Sequence, residues 1–533
     1  MRGIFPHCGI MHHSMHSFPL VLHLRAGTGL RHRHPVTAVP LRASMRDALL
    51  CAAALVVACL LVYGRALEGF LLADDYTVIG SFWGKGPWYL LGLLTSDEIG
   101  GIWPEQFIRP IRSWSLALDG WIWGPEPLGF HLTNLLLHAG TSTLIAALVL
   151  QLGGRLLAAL LASLLFLLHP VNVEVTTWVS GRDESLACAA LLGAVACHFA
   201  AASGRRRLWR GLSCALFTVS LFAKEYALLL PVAIWALAWL SPPGEDSRLR
   251  ALGDSLRSSI PMLGVSAAFL ALRFHVTGHP LGGYGTGAEA HATLRPDLLM
   301  DSVASFARDL FSPFSARPYA AAVLALGFLI LVAMTMRPNT EQRPALIGFW
   351  ALLWPMLFLM PTHNLVYTPR HLYISFAGIA VAFGLLLAKA REKWRTRLAL
   401  GMGGALVVLL APPTLAAVED FTRMSNRCRV ALSSIELATR SMPRGDVLVL
   451  VGMPAHQTPP WGFGWSLAEA LRPPFVEEPI DSRLKVVYRR QWRPEAWAAY
   501  RSKYPGRGVH VLAWNPAFNG IEFLRDLLGL ESG

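Results

Sequence analysis

Apolar residues dominate this chain in long blocks, and polar residues gather in the gaps between them. Eleven blocks are almost free of charge: 49–67, 135–152, 156–168, 186–202, 212–223, 227–240, 260–272, 320–336, 345–360, 372–388 and 398–411. A helix crosses a bilayer in about 20 residues, so the pattern predicts about eleven transmembrane helices, with 156–168 and 260–272 the shortest candidates. The last hundred or so residues read differently. Two runs rich in β-branched and apolar residues, Val447–Val451 and Val509–Ala513, lie among helical patterns such as Ala431–Arg440, which predicts a small α/β domain. The fold class is thus an all-α polytopic membrane protein with a small C-terminal α/β extramembrane domain.

Three segments complete the division of the chain. Residues 1–44 hold seven histidines among Arg, Pro and Gly and match neither a span nor a core. We expect an N-terminal extension, with Met45-Arg46-Asp47 ahead of the first apolar block as a natural start. Residues 45–417 form the membrane domain and 418–533 the terminal one. Within the membrane domain, 68–130 and 274–318 are long connections. The first carries Trp83, Trp88, Trp103, Trp114, Trp121 and Trp123, a density suited to helices lying at headgroup level. The second holds the Gly-rich run 281–287, which lacks the strand and helix flanks of a phosphate loop.

Composition sharpens the picture. Only 15% of residues are charged and 54% are hydrophobic, against roughly a quarter charged in soluble proteins. The net charge of +13 does not mark a nucleic-acid surface, because the basic residues lie between spans rather than on one domain. With a cytoplasmic N-terminus, the inner connections 152–155, 203–210, 241–258, 337–343 and 389–397 hold fifteen Lys and Arg. The short outer ones hold Arg182, Lys224 and Arg370 alone. This is the positive-inside bias, and it supports eleven spans with the C-terminal domain outside. The seven cysteines form no disulfide framework or zinc motif.

Ionisable residues at membrane depth raise a functional hypothesis by default, and here they cluster at one face. Asp74-Asp75 follows the first span; adjacent carboxylates repel, so one of them is suited to a general base. On a helix they diverge by about 100°, so one is catalytic and the other structural. The apolar run ahead of Asp74 explains that residue as a helix end and favours Asp75 as the base. The stretch 169–184 holds His169, Glu174, Arg182, Asp183 and Glu184 between two apolar blocks. A cap at Ser180/Gly181 accounts for some of this acid, but not for Glu174 or Arg182. Lys224-Glu225 and Arg370 add charge at the same face. Lys224, Arg370 and Arg182 are the candidates for holding a phosphate, with Glu174, Asp183 and Glu225 beside them. No cofactor is specified; a divalent metal is compatible with these residues, and His169 is the candidate ligand.

Asp74-Asp75, Arg109-Pro110 with Ser113-Trp114, the run Phe130–His138, the stretch 169–184, Lys224-Glu225 and Arg370-His371-Leu372-Tyr373 follow one another in a familiar order. Over residues 50–390 the chain resembles the transmembrane O-mannosyltransferases that carry tetratricopeptide repeats. It also resembles the wider protein O-mannosyltransferase and aminoarabinose-transferase superfamily of the GT-C fold. His-Pro-Val-x-x-Glu followed by Gly-Arg-Asp is its most specific part. The resemblance implies a glycosyltransferase that takes a sugar from a polyprenyl or dolichyl phosphate and transfers it, with inversion, to a protein or glycan acceptor. The setting it implies is the outer face of a bacterial inner membrane. The acid of the first outer loop, Asp74 or Asp75, would be the base, and Lys224, Arg370 and Arg182 would meet the donor phosphate. The chain departs from the family in lacking the repeats. A transporter or flippase is the alternative, but internal repeats are absent and the charges lie at one face rather than at the midplane. A non-catalytic scaffold would leave the charged cluster unexplained.

Overall fold

The computed structural model describes residues 45–96, 107–201, 205–232, 234–235, 245–278, 368–388, 392–454, 460, 462–490, 496–515 and 520–523. The expected spans at 320–336 and 345–360, the N-terminal extension and the Gly-rich run 281–287 lie outside these residues, as does part of 227–240. Among the described residues six helices are long and apolar enough to cross a membrane, or up to seven if one bent pair is a single span. The protein is therefore a multi-pass membrane protein, while the count of eleven stays an expectation.

The helices follow from the apolar blocks and their punctuation. Helix α1 (Met45–Tyr63) continues through a 3₁₀ turn, Gly64–Glu68. The connection after α1 folds into α2 (Asp74–Phe82), α3 (Pro87–Gly92) and α4 (Pro110–Trp123). Leu118, Trp121, Ile122 and Trp123 of α4 are exposed, as expected for a helix against lipid. Helix α5 (Pro127–Gln151), like α4, begins on a proline whose missing N–H costs nothing in a first turn. Helix α6 (Leu156–Leu168) ends where Pro170 forces His169 into an extended conformation. The chain then bends by 57° into a 3₁₀ turn and α7 (Val173–Thr177), which explains why the 156–168 block is short. Helices α8 (Arg182–Ala200), α9 (Arg206–Ala223) and α10 (Glu245–Thr277) follow. Helix α9 covers the expected span at 212–223 but is not one of the six. Helix α11 (Tyr373–Ala388) precedes the 48-residue α12 (Glu392–Thr439).

Packing between these helices uses small residues and hydroxyls, the means available where lipid removes the hydrophobic drive. A Cβ at Gly384 would lie 2.9 Å from both Ala162 Cβ and Val149 Cγ2, so glycine lets α11 close on α5 and α6. Ser213 and Ser220 of α9 donate to the carbonyls of Ala194 and Ala187 on α8, each at 2.7 Å. Tyr63 donates to the Leu167 carbonyl at 3.0 Å, and the His138 ring bonds the Tyr373 hydroxyl at 2.8 Å.

Helix α12 runs unbroken through residues 417 and 418 and delivers the chain to a four-stranded sheet. At 1.5 Å per residue it is about 70 Å long, more than a bilayer core requires. The strands are β1 (Val447–Val451), β2 (Lys485–Arg489), β3 (Val509–Asn515) and β4 (Gly520–Phe523), in the order β2-β1-β3-β4. The first three are parallel and β4 is antiparallel to β3. Central β1 is wholly buried and hence uniformly apolar. Strand β2 begins on an exposed lysine and carries two more exposed residues, so its apolar signal is too short to read in the sequence. The apolar core of this domain is continuous with α1, α2, α4 and α12.

Candidate active site

The connection after α1, the turns before α8, the ends of α4 and α9 and the start of α11 bring their charged side chains together. Three arrangements result.

The most enclosed surrounds Arg182, which is fully buried at the start of α8. Its Nε donates to Asn134 Oδ1 at 2.8 Å and its Nη2 to the Phe130 carbonyl at 2.7 Å. Its Nη1 reaches Asp119 Oδ2 at 2.6 Å and the carbonyl and hydroxyl oxygens of Ser115 at 3.2 Å. The guanidinium thus joins α4, α5 and α8, and its charge is balanced by a buried carboxylate. This is the geometry of a structural staple, unlike the phosphate contact expected for this residue.

Next to it runs an alternating chain of charges. Glu225 accepts two bonds from Arg109, at 2.8 and 3.2 Å. Arg109 also donates to Asp183 Oδ2 at 3.1 Å, and Lys224 donates to the same oxygen at 3.1 Å and to Glu184. Arg109 lies over the Phe107 ring at 4.0 Å, and Arg273 of α10 approaches that ring at 5.8 Å. The adjacent Lys224 and Glu225 take different partners: Glu225 holds Arg109, and Lys224 turns to the acids of α8. Charge-assisted and bidentate bonds of this kind fix geometry closely.

The third arrangement is the open one. Arg370 donates from Nη1 to Glu174 Oε1 at 3.0 Å and from its backbone to Glu174 Oε2 at 3.3 Å, and stands 4.9 Å over the Trp178 ring. Its side chain keeps 13% exposure. Asp74, at the first position of α2, is partly exposed. Burial pushes its carboxyl up from the ordinary range. Arg112 and then Arg370 draw it down, Asp183 opposes them, and a hydrogen bond from Trp465 favours the charged form. Arg112, Arg370 and Asp183 are therefore its electrostatic neighbours.

Asp75 is oriented differently. It is 1% exposed; Oδ2 accepts the Leu72 amide at 2.8 Å and Oδ1 the Ser180 amide at 2.7 Å. Burial raises it to about 7 against the pull of Ser180 and Leu72, with Asp74 adding to the rise. Asp75 ties α2 to the turn at Val179–Gly181, while Asp74 stays partly exposed with the arginines as electrostatic neighbours. The geometry favours the opposite choice within the pair from the one the apolar run suggested. The residue before them, Ala73, has φ of 43° and ψ of −118°, a strained conformation for a side chain with a Cβ, costing about 1–3 kcal/mol. Strain of that kind concentrates at functional sites.

His169 Nδ1 accepts the Val171 amide at 3.2 Å, and its ring packs 4.3 Å from Phe376. Among the described residues no group of three or more His, Cys, Asp and Glu is arranged to hold a metal ion. Sequence reasoning did not single out Arg112, Arg273 or Trp465. For Arg112 a signal existed, because it follows Arg109 by three residues and so shares a helix face at the start of α4.

No family model matches the chain. Against solved structures, it aligns with ArnT from Cupriavidus metallidurans in the apo state, at a TM-score of 0.51 and 10% identity. That alignment covers 89% of this chain and 94% of ArnT. The fold is GT-C. Part of the GT-C chain is also similar in sequence to curated proteins. It is 31% identical over 181 residues to the Drosophila melanogaster protein O-mannosyl-transferase Tmtc2, covering 32% of this chain and 18% of that protein. To mouse protein O-mannosyl-transferase TMTC1 it is 28% identical over 212 residues, covering 36% and 20%. The chain thus matches about a fifth of these relatives' length, and the GT-C likeness to ArnT concerns the fold.

Proposed function

We propose that this protein is an inverting membrane glycosyltransferase that moves a sugar from a polyprenyl- or dolichyl-phosphate donor to a hydroxyl of a protein or glycan. We place the reaction at the outer face of a bacterial inner membrane. The observation that carries the reading is Asp74, a partly exposed carboxylate with Arg112 and Arg370 as electrostatic neighbours, whose own neighbour Asp75 is held by two backbone amides. A base beside two cations suits a site where a proton is removed from one reactant and negative charge develops on the other.

In this reading Asp74 accepts the proton of the acceptor hydroxyl as its oxygen attacks the anomeric carbon. The bond from that carbon to the phosphate oxygen breaks, and its electron pair leaves with the lipid phosphate. Attack opposite the leaving group inverts the anomeric centre. Arg370 and Arg112 stabilise the departing phosphate. Glu174 orients Arg370, while Asp183, Lys224, Arg109 and Glu225 form the rigid charged floor beneath. Arg182 keeps α4, α5 and α8 in register. The sequence relatives are protein O-mannosyl-transferases, which makes mannose the first sugar to try.

Purified protein incubated with a panel of labelled polyprenyl-phosphate sugars is expected to release polyprenyl phosphate from one of them, and Asp74→Asn to abolish that release. Release from none of the panel, or an unchanged rate in Asp74→Asn, would refute the reading.

A further inference from the structure

Helix α2 starts from a tight turn over residues 72–75, closed by the Asp75 amide donating to the Leu72 carbonyl at 3.0 Å. Ala73 holds the first central position. Its φ of 43° and ψ of −118° are those of a type II′ turn, where glycine is the usual residue. Asp74 comes second, so the turn sets the direction in which its side chain leaves the backbone. The membrane domain secures one side of this turn. Asp75 takes the Ser180 amide at 2.7 Å, and the Trp178 indole donates to the Leu72 carbonyl at 3.1 Å.

The C-terminal domain secures the other side with the loop that follows β1. The Pro454 carbonyl accepts the Phe463 amide at 2.8 Å, folding the loop back, and the Gly462 carbonyl accepts the Ala73 amide at 2.8 Å. Ser466 Oγ and Thr77 Oγ1 share a buried hydrogen bond of 2.7 Å. Between these anchors Gly464, at φ of +54°, lies so close that a Cβ there would stand 3.3 Å from the Ala73 Cβ. The rings of Phe463 and Phe475 meet that of Tyr76 at 5.6 and 5.1 Å. Glycines at positive φ, as at 462 and 464, let one backbone approach another this closely. A residue in a rare conformation persists only where its surroundings over-determine it, and at Ala73 part of those surroundings is the C-terminal domain.

Resting on the reading of Asp74 as the base, we propose that Gly464 and Ser466 are positioning residues of the transfer site. Their loop keeps Ala73 in the type II′ conformation, and that turn holds the Asp74 carboxylate where the acceptor's proton is received. The C-terminal domain thereby takes part in transfer through the backbone of the turn.

The test uses the full-length protein in detergent, with turnover counted per folded, monodisperse enzyme. The donor is polyprenyl-phosphate mannose, or the member of the sugar panel that the wild type uses. Gly464→Ala drives a methyl group toward that of Ala73. It should lower kcat about tenfold, the scale on which a slightly misplaced group slows a reaction, with the donor KM unchanged. Adding Ala73→Gly removes the facing methyl and lets the turn form without strain, so kcat should return to near the wild-type value. Should Gly464→Ala fail to fold, Ser466→Ala, which removes only the bond to Thr77, takes its place. Its kcat should likewise fall and recover with Ala73→Gly. An unchanged kcat in the single variant, a change confined to KM, or no recovery in the double variant overturns the positioning role. If Asp74→Asn is inactive in the same assay, the base stands despite that result. Wild-type turnover in Asp74→Asn would instead overturn the base, and the positioning role with it.

Discussion

Two arginines of one charged face have opposite circumstances. Arg182 is fully buried, and it meets Asp119, Asn134, Phe130 and Ser115, contributed by two other helices. Arg370 keeps some exposure, holds one carboxylate, and has Asp74 as an electrostatic neighbour across the open part of the site. The same guanidinium thus serves as a staple in one place and as a candidate phosphate contact in the other. Residue type does not separate the two; enclosure does.

The largest effect that would sharpen this contrast is on turnover. General-base assistance contributes roughly 10²–10⁴ in rate, so Asp74→Asn should lower sugar transfer by that order and leave the melting temperature near wild type. Asp75→Asn should lower the melting temperature instead, since an amide group cannot accept as strongly from both Leu72 and Ser180. Comparing initial rates and thermal melts of the two variants checks the division, and equal loss of turnover without loss of stability in Asp75→Asn would break it.

Next comes the staple. Arg182→Ala leaves Asp119 buried without its counterion, and breaking a buried pair from one side costs about 3–5 kcal/mol. The yield of folded protein and its melting temperature should both fall. A variant that folds normally but no longer uses donor would place Arg182 with Arg370 after all.

A smaller effect is expected at the open rim. Arg370→Ala removes one charge-assisted contact, so kcat/KM for a polyprenyl-phosphate donor should drop by about 1–3 kcal/mol in free-energy terms. Thermal stability should fall less than in Arg182→Ala, because Arg370 keeps 13% exposure and water can reach the place it leaves beside buried Glu174. Steady-state kinetics against donor concentration measures it; a fall in stability as large as that of Arg182→Ala would erase the distinction.

A further effect is a pH dependence of stability. Asp75 is raised in the folded protein to about 7 from an ordinary 3.8, so the folded state binds this proton more tightly than the unfolded chain. The stability it contributes is fully present below the unfolded value and is lost as pH rises through about 7. Between those values the melting temperature of the wild type should fall more steeply with pH than that of Asp75→Asn. Parallel curves would show that Asp75 does not titrate there.

Much of the architecture was legible in the sequence for a simple reason. A membrane helix satisfies its own backbone hydrogen bonds and needs a continuous apolar run, so α1, α5, α8, α11 and α12 announce themselves locally. The uniform apolarity of β1 and the largely apolar run of β3 did the same for the C-terminal sheet, whereas the exposed positions of β2 concealed it. The proline after His169 marked the end of α6, but not the 57° bend that follows it.

The sequence by itself determined the helical membrane architecture, the terminal α/β domain and the grouping of Asp74, Asp75, Glu174, Arg182, Asp183, Lys224, Glu225 and Arg370 as the residues to examine. Only the tertiary structure decided which of them are enclosed. Asp75 meets Ser180 across 105 positions of chain, Arg109 meets Glu225 across 116, and Thr77 meets Ser466 across 389. Such partners carry no local signature, because a side chain's surroundings are set by elements brought together in packing.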